Sequence, residues 1–134
     1  WEPGERKILK INENNTIDTI PWIGYRRIHS TWFEDEKRIF TSGSGVFIRR
    51  PDKHWQEMTE LPLYGTDRVR GISTNDVFVV GSYGLVAHYN GLNWHVYPEA
   101  ATAQIYYSCD YKNNIMVAVG ERYSRAVALI MRKR

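Results

Sequence analysis

The chain has 134 residues, 43% of them apolar and 25% charged, which suits one globular domain and excludes a disordered chain. Its longest apolar runs, such as Val77-Phe78-Val79-Val80 and Ile115-Met116-Val117-Ala118-Val119, fall far short of the roughly 20 residues of a membrane-spanning helix, and no charged-then-apolar leader opens the chain. The 18 basic residues against 15 acidic give a formal charge of +3, too mild for a nucleic-acid binder, which concentrates Lys and Arg on one element.

Trp1 in place of Met reads as a processed, trimmed or partial chain, which leaves room for a leader upstream. Cys109 is the single cysteine, so no internal disulfide and no multi-cysteine metal site is possible. Nine Tyr, five Trp and four Phe beside ten Gly favour strands separated by tight turns over helices.

The chain repeats. Glycines close apolar runs at Gly43 (Arg38-Ile39-Phe40-Thr41-Ser42-Gly43), Gly81 (Asp76-Val77-Phe78-Val79-Val80-Gly81) and Gly120 (Ile115-Met116-Val117-Ala118-Val119-Gly120), and Trp55 and Trp94 recur at the same interval, a period of about 39 residues. One period before Gly43 stands Gly4, and Thr16-Ile17-Asp18-Thr19-Ile20-Pro21 reads like the stretch from Trp55 to Pro62. In chain order this predicts the last two strands of one unit (5–21), a whole unit (about 25–62), a second whole unit (about 67–98) and three strands of a fourth (104–134).

In the third unit the strands are predicted at Arg68–Ser73, Asp76–Val80, Leu85–Tyr89 and Trp94–Tyr97, with turns at 73–76, 81–84 and 90–93. Asn90-Gly91 suits a hairpin because both residues tolerate positive φ. The second strand is apolar on both faces, so its sheet is covered on both sides. Four-stranded antiparallel sheets of about 40 residues packed face to face are blades of a β-propeller. The predicted fold is therefore all-β, a partial β-propeller divided into a partial blade (1–24), two blades (25–65 and 66–103) and a second partial blade (104–134). At this period the chain supplies about three and a quarter blades against the four to eight that close a propeller. Further blades from the same chain or from partner chains are thus expected to cover its ends.

The run from Asn75 to Trp94, Asn-Asp-Val-Phe-Val-Val-Gly-Ser-Tyr-Gly-Leu-Val-Ala-His-Tyr-Asn-Gly-Leu-Asn-Trp, resembles the unit of bacterial secreted β-propellers of the BNR/Asp-box and YCF48-like (photosystem II assembly factor-like) families. The second unit matches at Ile39-Phe40, Gly43, Gly45-Val46-Phe47-Ile48 and Trp55. Gly91-Leu92-Asn93-Trp94 resembles the tail of an Asp box, with Tyr89 where that box carries its Asp. The motif is architectural and specifies no reaction. The Trp-Asp dipeptides of WD40 repeats and the paired glycines of kelch repeats are missing. The resemblance implies an extracytoplasmic setting, secreted, periplasmic or at the cell surface.

His29, His54, His88 and His95 match no compact ligand spacing, so neither metal nor cofactor is expected. Cys109 falls in a predicted inner strand and reads as a small buried residue, not a nucleophile. Asp-box propellers include sialidases and other glycosidases, which gather carboxylates, arginines and a nucleophilic Tyr at the axis. Arg26, Arg27, Arg68 and Arg70 are predicted on inner strands, where they could attract anions, but Glu34-Asp35-Glu36 reads as a solvated turn. No Gly-rich phosphate loop or Gly-x-Ser-x-Gly elbow is present.

The two propeller faces differ. Loops between first and second and between third and fourth strands (33–37, 73–76, 112–114, 12–15, 50–53) are polar and charged, as solvated turns are. The opposite face carries Pro21-Trp22-Ile23-Gly24, Leu63-Tyr64-Gly65, Gly81-Ser82-Tyr83-Gly84 and Glu121-Arg122-Tyr123-Ser124-Arg125. Aromatic and Arg side chains offer large contact area at low entropic cost. Trp22, Tyr64, Tyr83, Arg122, Tyr123 and Arg125 are therefore the predicted binding residues, for a protein, peptide or glycan partner. The expected function is a non-catalytic interaction or scaffold module, without nucleic-acid binding or membrane insertion. The alternatives are a glycosidase propeller whose catalytic residues lie partly outside this chain, and an accessory or assembly subunit of a membrane-associated complex.

Overall fold

The computed structural model describes residues 7–22, 26–35 and 37–134; Gly4, Ile23, Gly24 and Glu36 of the readings above lie outside the described residues. Its strands are β1 (Lys7–Ile11), β2 (Ile17–Pro21), β3 (Ile28–Glu34), β4 (Arg38–Gly43), β5 (Gly45–Arg49), β6 (Trp55–Glu57), β7 (Thr66–Ser73), β8 (Asp76–Gly81), β9 (Val86–Tyr89), β10 (Trp94–Val96), β11 (Ile105–Lys112), β12 (Ile115–Arg122) and β13 (Arg125–Arg132). They form a β1–β2 hairpin, the four-stranded sheets β3-β4-β5-β6 and β7-β8-β9-β10, and the three-stranded sheet β11-β12-β13. Every pair is antiparallel and joins neighbours in sequence. Among the described residues no helix is long and apolar enough to cross a membrane.

The first strands of successive sheets, β3, β7 and β11, pack on one another, so the sheets follow each other as blades around an axis. Strand β8 shows why its sequence is apolar throughout. Val77 and Val79 join Phe40, Ile48, Val69 and Trp94 between the second and third blades, whereas Phe78 and Val80 join Tyr106, Cys109, Tyr111 and Met116 between the third and fourth. Trp94 is thus buried between blades, and Asn90 Oδ1 pins the preceding turn by accepting from the backbone N–H groups of Leu92 and Asn93 at 2.9 and 2.8 Å.

The repeat glycines have one physical cause. Gly43, Gly81 and Gly120 stand opposite Ile28, Thr66 and Tyr106, and the register slips by one residue immediately afterwards in all three sheets. Each slip is a β-bulge whose extra residue is His29, Asp67 or Tyr107. The bulge drives a carbonyl at the entry to the first strand against the glycine Cα. A Cβ there would lie 2.0 Å from the Arg27 oxygen, 2.3 Å from that of Gly65 and 1.8 Å from that of Ile105. Only a residue without a side chain fits.

A buried hydroxyl joins the blades at the same level. Thr66 Oγ1 accepts from the Gly43 N–H at 2.8 Å and donates to the Gly43 carbonyl at 3.0 Å, satisfying backbone groups exactly where the bulge leaves them unpaired. The two ends of the arc expose apolar faces: Leu9, Ile11 and Ile17 on the β1–β2 hairpin, and Val117, Val119 and Ile130 on the fourth blade.

Gly120→Ala is expected to destabilise the chain by about 3 kcal/mol, the upper end for an overpacked core, because the opposing group is backbone and cannot swing away. Chemical denaturation followed by circular dichroism measures it, and a cost near zero would contradict the bulge account.

Candidate functional site: the aromatic loop face

The β8–β9 loop is clamped from both sides. Ser82 N–H donates to the Gly65 carbonyl at 2.9 Å on one side, and Gly84 N–H donates to the Gln104 carbonyl at 2.7 Å on the other. Between these clamps Tyr83 takes φ 56° and ψ 29°, a left-handed backbone, and remains 64% exposed. Its ring meets Tyr64 edge-on at 5.1 Å, and Tyr64 in turn rests on the core between the second and third blades. Next to them Leu63 is 73% exposed, an apolar member of the face that the prediction did not include among the binding residues.

The equivalent loop of the fourth blade is a two-residue hairpin closed by the Arg122–Arg125 pair. Tyr123 and Ser124 both have positive φ, 49° and 62°, as a type I′ turn demands. The same blade turns on its opposite face with Asn113-Asn114, also both at positive φ. Asn is the usual occupant there, because other L-residues pay roughly 1–2 kcal/mol for the left-handed conformation. Tyr123 occupies that strained position 78% exposed, with the Arg122 guanidinium 5.4 Å from its ring centre. Arg122, Tyr123 and Arg125 line one open depression with Ala126 and Val127.

Trp22 has to be removed from the surface. It is buried, with its ring edge-on to Phe47 and Trp55 at 4.9 Å each and its indole N–H donating to the Arg26 carbonyl at 3.3 Å. Its large apolar area seals the junction of the first and second blades instead. Of the six predicted binding residues, Tyr64 and Tyr83 come together, Arg122, Tyr123 and Arg125 come together on the next blade, and Trp22 stands apart.

The predicted inner-strand arginines are also rearranged. Arg26 and Arg27 precede β3, and Arg26 forms an ion pair with Glu57. Arg70 donates to Ser30 Oγ at 3.2 Å and to the Val69 carbonyl at 2.8 Å. Arg68 Nε is buried without a partner among the described residues. The bulge residues lie near the start of the first strands: His29 Nδ1 is 3.4 Å from Asp67 Oδ1, and the Tyr107 hydroxyl donates to Glu121 Oε1 at 2.9 Å. Sequence reasoning weighed His29 only as a metal ligand and missed Asp67 and Tyr107; their only signal was a place one residue after the partner of the repeat glycine.

Neither a family model nor a curated protein matches the chain. A solved structure does: YCF48 bound to a D1 peptide is similar to this chain over its whole length, with a TM-score of 0.67 at 16% identity. The fold is that of a β-propeller arc. The chain spans 43% of that YCF48 chain, so it is similar to less than half of the solved molecule.

Away from the loop face, a half-buried carboxylate ties the third blade to the fourth. Asp76 Oδ1 is 2.6 Å from His88 Nε2 and 3.0 Å from the Tyr111 hydroxyl, and Oδ2 accepts from Lys133 Nζ at 2.8 Å. His88 is therefore a structural partner, consistent with no group of three or more His, Cys, Asp or Glu suited to a metal among the described residues. Burial pushes the Cys109 thiol up to about 12, so it is held as the unreactive thiol. Burial also opposes ionisation of Asp76, but the hydrogen bonds from Lys133, His88 and Tyr111 outweigh it and hold the carboxyl below its ordinary value of 3.8. Burial, followed by the hydrogen bond to the Asp76 carboxylate and its charge, raises the Tyr111 hydroxyl to about 12.

A carboxyl whose pKa is lowered by folding stabilises the folded state above its unfolded pKa and loses that contribution as pH falls through the folded value. Asp76→Asn should therefore cost about 1–3 kcal/mol near neutrality. The gap in Tm between wild type and variant should close as the pH is taken from about 7 towards 2. A gap independent of pH would show that the charge of Asp76 is irrelevant.

Proposed function

We propose that this chain is a non-catalytic interaction segment of a β-propeller that binds an extended protein or peptide partner across neighbouring loops, Tyr64 at the end of the second blade with Tyr83 on the third, and Arg122, Tyr123 and Arg125 on the fourth. The observation that carries this reading is Tyr123, an exposed aromatic at a left-handed hairpin position that the opposite turn of the same blade fills with Asn. Strain retained where a plain turn residue would relieve it points to selection for the side chain itself. Tyr83 repeats the pattern one blade earlier. The face is otherwise rigid, since backbone hydrogen bonds clamp the β8–β9 loop and the β12–β13 loop has the minimum length, so little entropy is lost on docking.

Two further facts support the reading. The similar solved propeller, YCF48, is bound to a D1 peptide. The carboxylates nearest the starts of the first strands are engaged with neighbours, Glu57 with Arg26, Asp67 with His29 and Glu121 with Tyr107, which favours binding over hydrolysis. In the intact assembly further blades cover the apolar faces around Leu9 and Val119, so that the binding loops lie on one rim of a closed ring.

Peptides selected from a random display library on the wild-type protein provide the test. The double variant Tyr83→Ser, Tyr123→Asn should lose at least tenfold in affinity for them, the scale of a hot-spot tyrosine. Its Tm should change little, because relief of about 1–2 kcal/mol of left-handed strain by Asn at position 123 offsets loss of the exposed cation–π contact, about 0.5–1 kcal/mol, and of the Tyr64–Tyr83 edge contact, about 0.5–1.5 kcal/mol. Capture undiminished in the double variant would overturn the assignment.

A further inference from the structure

The face opposite the aromatic loops carries a cleft of about 170 Å³ between the β1–β2 hairpin and the outer half of the second blade. Ile20, Phe33 and Ile39 contribute its apolar wall, and Arg49, Arg50 and Lys53 reach it from a single turn, β5–β6. We propose that this cleft is an oxyanion site that takes a phosphate-type group through Arg49, Arg50 and Lys53.

The charge balance carries the inference. Among the described residues six cations line the cleft against two carboxylates, in a chain whose overall charge is only +3. The carboxylates are already committed: Asp35 to Lys10 at 2.7 Å, and Glu34 to Lys37 and to the Thr74 N–H. Arg38 turns away to the Tyr89 hydroxyl at 3.2 Å. The three remaining cations have no carboxylate partner among the ion pairs of the described residues. Arg50 directs Nε and Nη2 at the neutral Gln56 Oε1, at 3.1 and 2.7 Å. Arg49 Nε is buried and makes no hydrogen bond. A buried donor left unsatisfied costs the fold free energy, and an incoming oxyanion removes that cost.

The turn itself is built to keep these charges unneutralised. Its own acid, Asp52, bonds forward along the chain to His54: Oδ1 accepts from the His54 N–H at 3.0 Å and Oδ2 lies 3.3 Å from His54 Nδ1, although its charge also acts on Arg50. Lys53 sits at φ 70°, a left-handed position where Gly or Asn would be less strained. Two guanidinium groups and an ammonium approaching from one turn match a tetrahedral oxyanion, which offers acceptors in several directions. A phosphate group free in solution and one carried on a lipid headgroup share this chemistry.

Inorganic pyrophosphate titrated into the protein by calorimetry is the first arm, and flotation with phosphatidylglycerol vesicles against phosphatidylcholine vesicles is the second. Saturable pyrophosphate binding at one site, weakened at least tenfold by Arg49→Gln and by Lys53→Gly but not by Arg132→Gln on β13, supports the site. Lys53→Gly relieves backbone strain and so keeps the test valid if Arg49→Gln folds poorly. Binding to phosphatidylglycerol alone, with the same dependence on Arg49 and Lys53, supports it with a lipid-borne group. Absence of binding in both arms, or equal weakening by Arg132→Gln, overturns it.

Discussion

The close approach of a carbonyl at the entry to each first strand to the Cα of a second-strand glycine organises this molecule. At Gly43, Gly81 and Gly120 the gap is too small for any Cβ, and the price is a bulge in the opposing strand. The bulge does three things at once. It re-aims His29, Asp67 and Tyr107 out of the regular alternation, as an extra residue in a strand does. It presents the Arg27 and Gly65 carbonyls to the N–H groups of Ser44 and Ser82, which anchors the loops after β4 and β8. And it leaves backbone groups at Gly43 that the Thr66 hydroxyl satisfies from the next blade. Loop position, blade spacing and the row of polar residues at the first strands therefore depend on one steric constraint repeated three times.

The two faces of the arc use the same turn chemistry for different ends. Asn113-Asn114 and Tyr123-Ser124 close equivalent two-residue hairpins of the fourth blade with the same left-handed backbone. On one face the residues suit the backbone. On the other the backbone is made to hold a tyrosine between two arginines. Lys53 on the charged face shows the same exchange of local comfort for a displayed side chain. Natural sequences depart from locally favoured residues chiefly where function demands it, so these departures mark both proposed sites.

Polar groups inside the arc are joints rather than reactive centres. Asp76 collects donors from β9, β11 and the segment after β13, so a single half-buried charge spans the third and fourth blades. A pair of charges or a carboxylate buried without such partners would cost several kcal/mol, and here three donors repay the desolvation. Cys109, facing the same junction, contributes only its small apolar volume.

The sequence alone determined the all-β class, the four-stranded repeat and the two-sided burial of β8, because glycine spacing and apolar runs are local consequences of strand geometry. It also determined which loops share a face, since that follows from strand order. Tertiary structure decided what each loop residue does. Trp22 and Tyr83 occupy loops of the same face, but Trp22 is drawn into the junction with Phe47 and Trp55, while Tyr83 is held outward by clamps to Gly65 and Gln104. Arg26 and Arg70 could be read as paired or as facing the channel, and the partners that engage them, Glu57 and Ser30, are distant in sequence. The bulge residues and the unpaired cations of the β5–β6 turn were equally hidden. Whether a side chain is covered, paired or displayed depends on what the neighbouring blade brings against it, and that neighbour lies about one repeat away along the chain.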